Sequence, residues 1–474
     1  MQTSVVNYKK LHQGTRLDAE YYKPVFLSIE RKLRNVKNVR LDNTSKSIKS
    51  FGAYALCNQM VLVDEGIPFV RCKDIKEGFV DFSDVLFINK ATHQLLSKSA
   101  ITPNIVMMTM SGTVGNSAVA DPKWSYPINS NQDIAKIETN DKVSPYYLSI
   151  YLNTKYGKSQ TERLPIGSIQ QHIFIWQLKG LIIFCPSEEF QKLIERLYIK
   201  AMDLLRDSQN SHSQAEQILL SELNLLSWKP KHRLSFVKNY SDTTSSSRID
   251  AEYFQPMYEE IVQAITSIKW YYCLGDLVSI KKCIEPGSEA YQEKGVLFLR
   301  VSNLSKFGIK EGNQQYLTEE LYRTSKQHQP KKGEILLSKD ATPGIAYYLK
   351  DGPEKMIPSG GILRLKVKDE SKSYPEYLTL VLNSVIVQKQ IERDAGGSII
   401  NHWLVDQVKS TLIPILSIAK QKKIAETVNE SFCNRELSKK LLDIAKRGVE
   451  LVIEKDEKEA REWMNSKLKK LNMR

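Results

Sequence analysis

Apolar residues in the first 186 positions come in short runs separated by Gly, Asn, Asp and Pro clusters. Val25 to Leu33 carries apolar residues at helical spacing and predicts a short amphipathic helix. "PFVRCKDI", "DVLFI", "NIVMMTM", "SAVA" and "DIAKIET" follow, each short, apolar and bounded by turn formers, and these predict strands. "SPYYLSIYLNTKYG" (Ser144 to Gly157) predicts a helix opening after a Ser-Pro cap region. "LKGLIIFCP" predicts one more buried strand, ended by Pro186. The expectation is a compact α+β (mixed) domain with much loop.

The pattern changes at Ser187. From there to Leu226 the chain has no proline or glycine. Phe190, Ile194, Leu197, Ala201, Leu204, Ser208, Ser211, Ala215 and Ile218 recur at three- and four-residue spacing, a helical seam with small residues at its middle. Ser187, Glu188 and Glu189 supply a hydroxyl cap and an acidic first turn. A 40-residue helix would be about 60 Å long. A second such stretch starts at Ser417, with Val428, Phe432, Leu441, Ile444, Leu451 and Val452 as its apolar points. Neither seam can stay in water alone. The expectation is that the two helices pack as an antiparallel coiled coil with a domain at each end. The domain boundaries expected are 1–186, a helix over 187–226, 227–416, and a C-terminal helix over 417–474; "NYSDTTSSS" (Asn239 to Ser247) is the polar joint before the second domain.

The second half repeats the first. "RLDAEYYKP" (Arg16 to Pro24) returns as "RIDAEYFQP" (Arg248 to Pro256). "GIPFVRCKDI" matches "GVLFLRVSNL", "NIVMMTMSGTVG" matches "GEILLSKDATPG", "SPYYLSIYLNT" matches "YPEYLTLVLNS", and "GSIQQH" matches "GSIINH". Gln191 and Gln421 mark a further match. The copies are co-linear with an offset of about 230 residues, far longer than a solenoid unit. A duplicated domain with a pseudo-twofold relation is the logic of a dimer that meets two half-sites.

Composition narrows the partner. The chain has 474 residues and a formal net charge of +14 with pI near 9.2, an excess that favours a polyanion. The six cysteines form no CxxC and pair with no histidine at zinc spacing, so a reduced, metal-free, cytoplasmic protein is expected. The opening segment has no apolar signal core, and no stretch reaches the length of a spanning helix. Phosphate-loop, GxGxxG, HExxH and GxSxG motifs are absent. "SGTVG" and its counterpart "DATPG" predict turns. His172 and His402 fall at equivalent positions four residues after a serine, and the expectation for both is a polar filler at a domain–helix junction. Asp18/Glu20 and Asp250/Glu252 are expected to tie the arginine of their own phrase or cap the next helix. No catalytic residue is expected.

A DNA reader needs cations for phosphates and amide, hydroxyl or guanidinium groups for base edges. In the first copy the loops offer Arg71 and Lys73, then Ser111, Thr113 and Asn116, then Asn129, Asn131 and Gln132. In the second they offer Arg300, Ser302 and Asn303, then Lys339 and Thr342, then Ser359. The apolar frame is kept while these loops differ, as two readers of different half-sites would require.

The doubled "RLDAEYYKP"/"RIDAEYFQP", "FVRCKDI"/"FLRVSNL" and "GSIQQH"/"GSIINH" segments, each set followed by a strand and a glutamine-bearing long helix, give the chain a likeness. It resembles the specificity subunit of type I restriction–modification systems over essentially its whole length. The resemblance implies two target-recognition domains, each binding half of a split double-stranded DNA target, and a coiled coil that sets the gap. It implies docking of two copies of an adenine methyltransferase subunit and, in a larger assembly, a restriction/translocase subunit. S-adenosylmethionine would belong to the methyltransferase and ATP to the motor, with no cofactor in this chain. The second copy departs from the family at "IPILSIAKQ", where a proline–proline break is usual. A stand-alone DNA-binding protein is the alternative.

Overall fold

A computed structural model describes residues 3–6, 18–50, 59–165, 172–310, 312–395 and 401–472. Arg16, Leu17, Cys57 and most of the "GSIQQH" and "GSIINH" segments lie outside the described residues. The chain divides into two compact units. One comprises Met1–Leu205 with Glu436–Arg474, the other Arg206–Arg435. Each unit therefore combines one domain with segments of both long helices.

The first unit is built on a four-stranded antiparallel sheet in the order Ser45–Lys49, Ile134–Thr139, Val106–Thr109, Ser117–Val119. Its central strand "VMMT" is buried on both faces, which explains a continuous apolar run rather than alternation. Val106 and Met108 face Tyr147, Leu148 and Tyr151 of the helix Pro145–Asn153 and other helical residues. Met107 faces the other way, with Ala118 and Ile134, toward a second sheet. That sheet has the order Leu62–Val63, Leu86–Ile88, Ile67–Val70, Asn129–Ser130, and its last pair is parallel.

The second unit has the same plan. Its antiparallel sheet runs Val278–Lys282, Ile362–Val367, Ile335–Ser338, Ala346–Tyr348. Its second sheet runs Gln315–Leu317, Val296–Leu299, Met356–Pro358, again with a parallel last pair. Register is preserved too, with Val106 opposite Ile137 and Ile335 opposite Leu365.

Side-chain hydrogen bonds to the backbone recur at matching places. The Gln191 side chain accepts from the Ser144 N–H at 2.9 Å, and Gln421 does the same for Tyr374 at 3.1 Å. Gln160 brackets Ile182 through both its N–H and its carbonyl, as Gln390 brackets Leu412. Tyr147 Oη donates to Phe184 O and Tyr377 Oη to Pro414 O. These bonds satisfy backbone groups at strand ends that would otherwise be buried and unpaired. The opening phrase belongs to this frame. Pro24 and Pro256 each start a helix, Pro24–Arg34 and Pro256–Thr266. Arg248 holds Asp250 through two bonds of 2.6 Å, and Arg163 lies 3.9 Å over the Tyr21 ring as Arg393 lies 5.6 Å over Tyr253.

The first long helix is Glu188–Glu222. Ser187 caps it, its Oγ accepting from the Phe190 N–H at 3.2 Å. The small seam residues Ala201, Ser208, Ser211 and Ala215 are buried. In the second unit Ser431 Oγ donates to Ser208 O at 2.7 Å, and Lys420 pairs with Glu222, so the helices there run antiparallel. In the first unit Ser438 Oγ donates to Ala201 O at 2.7 Å. Small residues let the backbones approach, and serine hydroxyls on such a seam find their partner across it.

The C-terminal helix departs from the expected single stretch over 417–474. It is two helices, Ile418–Glu454 and Glu457–Lys470. Asp456 stops the first by capping the second, accepting from the Glu459 N–H at 2.8 Å. The terminal helix then packs back within the first unit. Ala460 and Met464 are fully buried, and Glu457 accepts from Ser187 N–H and Oγ at 2.7 and 2.5 Å. A Cβ at Gly448 would lie 2.3 Å from Met464 Sδ, so any larger residue there would have to displace the buried Met464 side chain. No helix among the described residues is long and apolar enough to cross a membrane.

Candidate nucleic-acid interface

The parallel pairing in each second sheet places the candidate loops. Val70 pairs with Ser130 and Leu299 with Pro358, so both strands of each pair end at one edge. The turns after them, Arg71–Asp74 with Asn131–Asp133 and Arg300–Asn303 with Ser359–Gly361, therefore leave side by side. The turn after the central strand of the first sheet joins them: Met110 N–H donates to Asp133 O and Lys339 N–H to Gly361 O, both at 2.8 Å.

In the first unit these turns bring Ser111 and Asn131 together with Cys72, Asp133 and His172. Cys72 Sγ lies 3.8 Å from Ser111 Oγ and 3.1 Å from Asp133 O. Ser111 forms a β-bridge with His172, whose Nδ1 is 3.8 Å from Asp133 Oδ1. Burial pushes the Cys72 thiol above its ordinary pKa, and hydrogen bonding to Ser111 offsets this only in part. Lys73 is exposed and pairs with Asp84 at 2.5 Å; that hydrogen bond outweighs the opposing effect of slight burial and holds the Asp84 carboxyl below its usual range. Thr113 is exposed and Gln132 half-buried. Gly115 closes the turn at φ +85°, and a Cβ there would lie 2.3 Å from Thr161 Oγ1. Both glycine-bearing segments are turns, and Ala341, at φ +61°, takes the left-handed place of Gly112.

Three residues expected in this face lie in the frame beneath it. Arg71 is bound to Asp74 through its Nε at 3.1 Å and to Asp84 O through its terminal nitrogen. Asn129 is fully buried, bonded to Ser99 Oγ at 2.6 Å and Leu96 O at 3.2 Å. Asn116 is buried, donating to Ile75 O at 3.1 Å and accepting from Lys158. Their hydrogen-bonding capacity serves the turns that carry the other candidates.

The second unit differs at the same places. Asn303 stands where Asp74 stands and donates to Gly312 O at 2.9 Å. Arg300 bonds Asn313 O through a terminal nitrogen, but its Nε has no hydrogen-bond partner. A neutral amide stands where Asp74 pairs with Arg71, so Asn303 does not neutralise Arg300. Ser302 and Thr342 are exposed, Ser359 is buried, and Lys339 Nζ pairs with Asp340 Oδ2 at 2.5 Å. Asp340 also takes His402 Nδ1 at 2.8 Å and forms a β-bridge with that residue.

The two histidines correct the expectation of junction fillers. Both lie among the candidate loops, because each is itself bridged to the turn after the central strand. Their matched repeat positions were the available signal; their surroundings depend on long-range pairing. Ser168 and Ser398 lie outside the described residues, and among the described ones no serine hydroxyl bonds to either histidine. No group of His, Cys, Asp or Glu among the described residues could hold a metal ion. What the face offers is hydroxyl, amide, imidazole and cationic groups on a fixed frame, the chemistry of hydrogen-bond readout.

Comparison with known proteins finds likenesses for this chain. Residues 268–445 match the family described as type I restriction modification DNA specificity domain. No curated protein matches. Among solved structures, the type I restriction–modification S subunit from M. genitalium is similar at 13% identity, over 88% of this chain and 96% of that one, with TM-score 0.40. The HsdS subunit from Thermoanaerobacter tengcongensis is similar at 13% identity over 89% and 97%, with TM-score 0.29. A chain from a study of complex assembly and conformational transition of the type I R-M system is similar at 14% identity over 86% and 97%, with TM-score 0.28. All three scores are below 0.5. Residues 268–445, which hold the second antiparallel sheet and the turns after it, are thus similar to the type I restriction modification DNA specificity domain.

Proposed function

We propose that this chain is the sequence-reading component of a type I restriction–modification complex. Each unit reads one half of a bipartite double-stranded DNA target, and the long helices, which contribute residues to both units, connect the readers and dock the adenine methyltransferase, in two copies. A restriction/translocase subunit joins through that assembly. S-adenosylmethionine and ATP belong to those partners and not to this chain. The observation that carries the proposal is one strand order used twice under unlike turns: Ser111 and Asp133 against Asp340 and Gly361, Asp74 against Asn303.

The test is a pair of variants expressed with the methyltransferase, followed by mapping of modified adenines. Ser302→Ala with Thr342→Ala is expected to relax the second half-site and leave the first intact. Lys73→Ala with Thr113→Ala is expected to do the converse. Each lost base contact should be worth about 1–3 kcal/mol of discrimination. Unchanged half-sites in both variants would refute the assignment of these turns.

A further inference from the structure

We infer that His172 and His402, which stand beside a carboxylate at equivalent places in the two units, are DNA-contacting residues. The inference rests on the specificity reading above and deepens it. Equivalence of the two sites is fixed by backbone bonds. Ile173 N–H donates to Met110 O and Trp403 N–H to Lys339 O, both at 2.8 Å. So His172 stands beside Ser111 as His402 stands beside Asp340.

The acid, however, comes from different strands. In the first unit it is Asp133, with Ser111 in the bridge position; in the second it is Asp340, with Gly361 at the place of Asp133. The two positions adjoin: a Cβ on Gly361 would sit 3.4 Å from Asp340 Cβ and 3.5 Å from its Oδ2, so a side chain from either strand can reach the same neighbourhood. Loop drift alone gives no reason to keep a histidine and an acid beside it while exchanging which strand supplies the acid. A requirement for an oriented imidazole does.

The geometry says what the ring can do. An ionised carboxylate only accepts, so Nδ1 is the donor of the 2.8 Å bond to Asp340. Nε2 is then the nitrogen left for a partner, and His402 is 56% exposed and His172 25%. Nε2 is the atom presented to the duplex: as the imidazolium it donates to a backbone phosphate oxygen or the N7/O6 edge of guanine, and as neutral imidazole it accepts from a base amino group.

Equilibrium binding of the full chain, assembled with its methyltransferase, to a duplex carrying its mapped target tests this. His402→Ala is expected to weaken binding about tenfold at unchanged thermal unfolding. If the partner is a base edge, preference is lost at one base pair of the second half-site. If it is a phosphate, the loss is uniform across sequences and the slope of log K against log salt shrinks by about 1. His402→Gln, which keeps a donor, is expected to recover part of the loss, and Asp340→Asn to reproduce part of it. His172→Ala is the independent arm, read on the first half-site. Wild-type affinity, salt slope and half-site preference in both alanine variants would overturn the inference while leaving the specificity reading intact. Absence of sequence-dependent binding by the wild-type assembly would overturn both.

Discussion

Replacing Arg364 by alanine is expected to cost the second unit about 3–5 kcal/mol, the usual penalty for leaving one partner of a buried ion pair uncompensated. Arg364 is 2% exposed and Glu334 4%. The guanidinium meets both carboxylate oxygens, Nε to Oε2 at 2.9 Å and Nη2 to Oε1 at 3.1 Å, and its Nη1 donates to Gln327 O at 2.7 Å. Removing the cation leaves the buried Glu334 carboxylate without its partner. Replacing both, Arg364→Met with Glu334→Leu, is expected to recover most of the loss, because no charge is then left buried. Denaturant unfolding measures both. Cys283 gives a local readout: burial pushes its thiol up to about 12, and its labelling should rise in Arg364→Ala and not in the double variant. A single-variant loss below about 1 kcal/mol would contradict the buried-pair account.

The same strand position in the first unit predicts a gain. Lys136 stands where Arg364 stands, but Ile105 occupies the place of Glu334, so the ammonium has no carboxylate. It is 3% exposed, and the hydrogen bond found for its Nζ is to Ser130 Oγ, at 2.9 Å. Desolvation lowers its pKa from 10.5 to about 8. A lysine whose pKa falls on folding costs stability wherever the unfolded chain holds the proton more tightly. The cost is fully present below about pH 8 and fades as pH rises toward 10.5. Lys136→Met should therefore stabilise the first unit by about 2–3 kcal/mol at pH 7, and by progressively less between pH 8 and 10.5. Thermal unfolding across that range decides it. A gain that stays constant with pH would mean that packing, and not charge burial, sets the effect.

These two residues mark where sequence reading stopped. "DIAKIET" and "GILRLKV" each look like strands with one face in water. Both faces are covered, because a second sheet packs behind the first, and that sheet is assembled from segments more than fifty residues apart in sequence. The two-sided burial of "VMMT" and "ILLS" was legible as continuous apolar runs; the lone cation inside was not. The repeat, the cap at Ser187 and the small-residue seam were legible because each is a local or periodic property. The break at Asp456 was not, since an Asp inside a charged helical stretch resembles any solvated position until Ala460 and Met464 are seen buried. Among the site residues, the turns were found because Gly, Asn and Asp mark them. Which side chains they present depends on partners such as Asp74 for Arg71 and Ser99 for Asn129, set by tertiary contact.

The most direct test of the central claim is a map of modified adenines by single-molecule sequencing, with the chain expressed alongside its methyltransferase in a methylation-free host. The account predicts a new two-part motif with a fixed unspecified gap, lost when this gene is deleted. A one-part motif, or no new motif from a soluble complex, would contradict two half-site readers in one chain.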